Sequence, residues 1–170
     1  GVHRLRRVYY SAFSPIPDAA RALPLAAPPT VREHRLYQAD WLMRFYGFTH
    51  DEIVPPNQGA PGSQVGMLAL DMDPKLAWAL AHRERFPVNL NTAPRELLLR
   101  VPGFGVQTVD RLLAARRVRR LRHADLARLH VPLKKVLPFV EAADYRPGRA
   151  LEAADLAAHL APPPVQRSLF

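Results

Sequence analysis

The stretch from Asn91 to Arg116 constrains this chain more than any other. It predicts two short helices joined by a turn built on Pro102, Gly103, Phe104 and Gly105. Thr92 is the expected N-cap, with Pro94 in the first turn, where a missing N–H costs nothing. Leu97, Leu98 and Val101 supply an apolar face. Pro102-Gly103 then stops the helix, because proline cannot continue the ladder and glycine accepts a left-handed conformation. Val106, Val109, Leu112 and Leu113 restart an apolar stripe at helical spacing.

Gly103 and Gly105 strip side chains from the turn where it enters the second helix. Successive backbone N–H groups there can converge on one oxyanion, helped by the positive end of the helix dipole. The pattern apolar-Pro-Gly-apolar-Gly resembles a helix-hairpin-helix motif, a class that holds the phosphate backbone of DNA without reading its sequence. The resemblance implies contacts from Gly103, Phe104, Gly105, Gln107, Thr108 and Arg111. An ordinary helical hairpin with a glycine turn is the plainer alternative, and hairpins of this class sometimes serve only protein contacts.

Arg116, Arg117, Arg119, Arg120 and Arg122 follow within seven residues. A charge run is often only a solvated face. Beside a phosphate-binding turn, Arg116, Arg117, Arg119 and Arg120 are expected to extend the contact. Residues 125–143 then have the outline of a second hairpin, whose turn is Val131-Pro132 with no glycine. This degenerate copy is expected to pack against the first, with Lys134 and Lys135 touching the nucleic-acid backbone.

The chain has 170 residues and a net charge of +9. From Arg95 to Arg149 there are 13 Lys or Arg against 5 Asp or Glu, so nearly all the excess lies in and after the hairpin. That asymmetry favours a polyanionic partner. Cysteine is absent, which excludes disulfides, thiol catalysis and a cysteine-held cluster within these residues. No apolar run is long enough to span a membrane and no secretory signal is visible, so the cytoplasm is the expected compartment. Asp71 and Asp73 are read as a solvated carboxylate and a helix cap. No metal ligands and no catalytic residues stand out.

The fold class expected is mainly α: a small helical domain built on one good and one degenerate hairpin. Residues 1–30 hold a β-prone segment, Val8 to Phe13, and a connector with five prolines between Ser14 and Pro29. The segment has no second strand to pair with, so this orphan strand is expected either to add to something absent from this chain or to pack irregularly. Residues 31–86 form a helical region. Its first helix, Val31 to Tyr46, is capped by Thr30 and stopped by Gly47. The aromatic face of that helix reads as core, with a surface for an adjoining domain as the alternative. Thr49 to Ile53 is a capped turn. Asp73-Pro74 opens a helix whose inner face is Leu76, Ala77 and Leu80, with His82 to Arg85 solvated. Residues 87–146 are the hairpin domain, and 147–170 a flexible tail with one weak helix between Leu151 and Leu160.

Taken in order, these pieces resemble the C-terminal region of radical SAM proteins assigned to DNA modification or repair. The resemblance is carried by Tyr9 to Phe13 with Pro15-Ile16-Pro17, by Arg32 to Trp41, by Asp73 to Trp78 and by the arginine-rich hairpin region. It implies a DNA-directed role, with a [4Fe–4S] cluster and S-adenosylmethionine held by an N-terminal barrel absent from this chain, of which the orphan strand in residues 1–30 would be a remnant. The terminus resembles the bacterial sliding-clamp-binding pentapeptide, with Gln166, Ser168, Leu169 and Phe170 as its contacts. The function expected is sequence-nonspecific DNA binding, to duplex or damaged DNA. Structured-RNA binding and a clamp-tethered protein scaffold are the alternatives.

Overall fold

A computed structural model describes residues 8–11, 14–15, 27–55 and 66–160. Among these the chain is mainly helical, with one very short parallel strand pair.

Helix α1 (Thr30–Tyr46) starts one residue before the expected position. Thr30 is its first residue rather than its cap. Pro29 stands at the cap in an extended conformation, and its carbonyl already takes the Arg32 N–H at 2.9 Å. Gly47, at φ +69°, ends the helix as expected. Ala39 and Leu42 are buried, whereas Trp41, Met43 and Phe45 are exposed. The aromatic stripe is therefore mostly surface, not core.

Helix α2 (His50–Ile53) is the expected capped turn. Thr49 Oγ1 accepts from the Glu52 N–H, and Glu52 Oε2 accepts from the Thr49 N–H at 2.8 Å. Helix α3 (Pro74–Ala81) opens as predicted, with Asp73 Oδ1 accepting from the Leu76 N–H at 2.9 Å. Its burial differs from the expected face. Lys75, Leu76, Trp78 and Ala79 are buried, while Ala77 and Leu80 are only half-buried, because the helix is wedged between α1, α2 and the hairpin turn. His82 and Arg83 are not solvated either. His82 stacks on Trp78 with ring centroids 4.4 Å apart, and Arg83 donates to the Leu151 and Ala153 carbonyls.

Strand β1 (Val88–Asn89) pairs in parallel with β2 (Val140–Glu141), Val88 opposite Val140. Between them run α4 (Arg95–Arg100), α5 (Val106–Val118), α6 (His123–Arg128) and α7 (Leu133–Val136). The expected Thr92 cap is not made. Asn89 organises this turn instead, its carbonyl accepting from Thr92 and Ala93 and its side chain from the Asn91 N–H; α4 then begins after an extended Pro94. The Asn91 side chain exchanges two hydrogen bonds with the Leu121 backbone, at 2.7 and 3.1 Å. The two halves of the hairpin pair are thus tied at their bases.

One apolar cluster runs from Leu42 and Phe48 through Leu76, Leu98, Phe104, Leu112, Leu126 and Phe139 to Leu151 and Leu156. The segment expected as a weak helix after residue 150 is a 3₁₀ turn (Ala150–Glu152) followed by α8 (Leu156–Leu160). Its leucines belong to that cluster. At the other end, residues 8–11 form no strand. The Tyr10 backbone N–H and carbonyl are both met by the Tyr37 hydroxyl, each at 3.1 Å, so a side chain supplies what a partner strand would.

Candidate nucleic-acid interface

The first hairpin turn leaves α4 at Val101 and enters α5 at Val106. Gly103 has φ +89°, and a Cβ there would lie 2.8 Å from Val136 Cγ2 and 3.0 Å from Pro132 Cγ. Glycine is required here for handedness and for close packing of the second hairpin. Gly105 is different. It caps α5 at φ −93°, and an added Cβ would meet only the Tyr46 hydroxyl, at 3.9 Å.

The N–H groups of Gly105, Val106, Gln107 and Thr108 have no acceptor among the described residues. These are the orphan donors of a 13-residue helix, and no side chain of the protein caps them. Gly105 and Val106 are half-buried and Gln107 is exposed, so the donors sit at the surface. Such an end attracts anions through both the donors and the dipole.

The expected contact residues divide. Gln107 and Arg111 are exposed one turn apart on α5, and Thr108 is half-buried beside them. Arg117 and Arg120 are exposed with no partner among the described residues. Phe104 has its ring in the core, 2 % exposed; its N–H goes to the Val101 carbonyl and its own carbonyl takes a lysine. Arg116 turns inward and donates to the Ala93 carbonyl at 2.6 Å and the Leu90 carbonyl at 3.4 Å. Arg119 grips Asp125 with two hydrogen bonds, at 2.9 and 2.5 Å. The arginine run is therefore part fastening and part free charge. Asp125 also accepts from the Arg122 N–H, and these partners, Arg119 first, hold its carboxyl below the usual carboxylate range.

The second hairpin repeats the first in outline, with a turn one residue shorter and a second helix of four residues. His130, at φ +54°, takes the place of Gly103; Val131 is buried like Phe104; Pro132 stands at the cap where Gly105 does. Proline removes one donor, and α7 has four residues, too few for a useful dipole. Lys134 is exposed, and Lys135 is ion-paired to Asp73. The degenerate turn is a packing partner whose Val136 and Pro132 press on Gly103.

A residue outside the expected set lies beneath the turn. Lys75 is buried, 7 % exposed, and donates to the Phe104 carbonyl at 2.6 Å with its ammonium 4.6 Å from the centre of the Tyr46 ring. Burial lowers its pKa to about 7, with Asp73 opposing and Lys135 and Arg100 reinforcing the shift. The signal in the sequence was a lone lysine inside the apolar run Pro74 to Ala81.

The chain has no cysteine, and among the described residues no three His, Asp or Glu gather as a metal site. These residues do not fit an iron–sulfur cluster. No described helix is long and apolar enough to cross a membrane. Gln166, Ser168, Leu169 and Phe170 lie outside the described residues. The fold defines a small, mainly α protein with a tandem hairpin. Comparison with protein-family models, curated proteins and solved structures finds no match for the chain.

Proposed function

We propose that this chain binds the phosphate backbone of DNA through the entrance of α5, without reading base sequence. The observation that carries the reading is the row of unacceptored N–H groups from Gly105 to Thr108. Gly105 leaves the approach clear, and Gln107 and Arg111 bracket it on one helix face. Arg117 and Arg120 supply charge for phosphates further along the strand. Contacts of this type position a nucleic acid and carry no sequence information. In a longer protein of the radical SAM class, this unit would deliver the DNA while chemistry took place in residues outside it.

The test is an anisotropy titration of the full chain with duplexes of unrelated sequence across a salt series. Affinity should fall steeply with salt and scarcely vary with sequence. Salt-independent binding, or none, overturns the reading. A parallel titration with duplex RNA of matching sequence decides between DNA and structured RNA; tighter RNA binding would transfer the role to RNA.

A further inference from the structure

Beside the hairpin turn lies an open groove of about 490 Å³ between α1 and the start of α3. Tyr37, Trp41 and Tyr46 form its aromatic wall, with Lys75 and Lys135 on the opposite side. Trp41 is 59 % exposed, and its ring lies 4.9 Å from that of Phe45, itself 51 % exposed. Two large aromatic rings turned to water on one helix need a reason, since their burial would favour folding. The groove is continuous with the proposed phosphate site. Tyr46 reaches toward Gly105, and Lys75 holds the Phe104 carbonyl.

From this continuity we infer that the groove receives an unpaired base of the DNA strand whose phosphate sits at the α5 entrance. The inference rests on the backbone-binding reading and adds its substrate class: DNA with a displaced base or a single-stranded stretch. Three observations favour that occupant. The wall presents π-faces, on which any base can stack. Lys135 is ion-paired to Asp73, so the charge left facing a strand is that of Lys75, carried by the fraction of molecules that hold its proton at a pKa of about 7. Lys75, buried, has only the Phe104 carbonyl as a hydrogen-bond acceptor among the described residues, leaving one further N–H as the neutral amine, and two when protonated, for a base carbonyl. A pocket of this volume falls within the range of small-ligand sites, large enough for a nucleotide.

The experiment uses the full chain with three probes: a fully paired duplex, the same duplex carrying one extrahelical thymine, and the single strand. Affinity is read by anisotropy and stacking by tryptophan emission. Trp78 is buried, so quenching on binding reports Trp41. The expected result is tighter binding and stronger quenching with the extrahelical-base and single-stranded probes. Trp41→Ala should lose the quenching and about tenfold of affinity for those two probes, leaving the paired duplex unchanged. Because Trp41 is exposed, the variant should fold; circular dichroism and a melting curve check it, and Phe45→Ala provides a second variant. Equal binding of all three probes, or quenching that survives Trp41→Ala, overturns the inference while leaving backbone binding intact. Loss of paired-duplex binding in Trp41→Ala also overturns it, since the ring would then serve the general interface. Absence of any DNA binding by the intact chain instead refutes the backbone reading beneath it. Capture of a protein on this face, with no response to DNA bases, refutes the groove's assignment.

Discussion

At Gly103 and Gly105 the same residue type answers to different forces. The added Cβ of Gly103→Ala would strike Val136 and Pro132 at a left-handed backbone position. That substitution should cost roughly 2–4 kcal/mol in unfolding free energy, seen as a lower denaturation midpoint at unchanged slope. Gly105 has an ordinary extended φ, and a Cβ there would make only van der Waals contact with the Tyr46 hydroxyl. Gly105→Leu should therefore leave the melting temperature nearly unchanged while lowering DNA affinity about tenfold, by keeping a phosphate from the exposed amides. Unaltered affinity in that folded variant would remove the α5 entrance from the interface. Lys75 gives a pH signature of its own. Its folded pKa is about 7, below the 10.5 of a free lysine, so between those values the unfolded chain holds a proton that the native chain has released. Stability from this group then rises as pH rises through that window, at up to about 1.4 kcal/mol per pH unit, and below it the full burial penalty is present. Asp73, Lys135, Arg100 and the Tyr46 ring are the groups facing it. Lys75→Met should abolish this rise relative to the parent, as measured by denaturant titration between about pH 7 and about pH 9.

On the scale of elements, the end of α5 separates anchors from contacts. Arg117→Ala and Arg120→Ala should each weaken DNA binding uniformly across sequences and reduce the salt slope by about 1, with stability unaffected. Arg116→Ala should act mainly on folding, since its guanidinium satisfies the Ala93 and Leu90 carbonyls between β1 and α4. Asp125→Ala should cost roughly 1–3 kcal/mol, because Arg119 loses its partner and the Arg122 N–H its acceptor at the start of α6. Denaturation midpoints against binding isotherms for the four variants check the division. A salt slope that changes in Arg116→Ala as much as in Arg117→Ala would break it.

Across the whole molecule, the joint between the N-terminal helices and the hairpin pair is Arg100. Its guanidinium donates to both Glu52 carboxylate oxygens, at 2.7 and 3.0 Å, and to the Gly47 carbonyl, and it lies 4.7 Å from the centre of the Phe48 ring. Burial of Glu52 works to raise its pKa, but the Thr49 N–H and Arg100 outweigh it, and the carboxyl is held below its ordinary value. Arg100→Ala should destabilise by roughly 2–4 kcal/mol and leave Glu52 with only its hydrogen bonds from Thr49. Because one apolar cluster spans both regions, unfolding should remain a single transition with far-UV and near-UV signals coincident. Two separated transitions would show that Arg100, not the shared cluster, makes the halves cooperative.

Local chemistry in the sequence was enough for the elements themselves. Asp73 with Pro74, Thr49 with Glu52, Gly47, and the Pro102-Gly103 turn each act through atoms a few residues apart, so their outcome is written along the chain. The Thr30 cap failed because the Pro29 carbonyl already takes the Arg32 N–H, and the Thr92 cap failed because Asn89 draws Thr92 and Ala93 into a turn and α4 begins only after Pro94. What the residues of one stretch do to another was not legible. Nothing near Gly103 in sequence says that Val136 leans on it, and nothing near Arg116 or Arg119 says which guanidinium turns inward. Nor does an apolar helix say that its single lysine will lie beneath a turn 29 residues away. Those outcomes depend on which surfaces meet once β1 and β2 pair and the hairpins close on each other, and that packing was decided only in three dimensions.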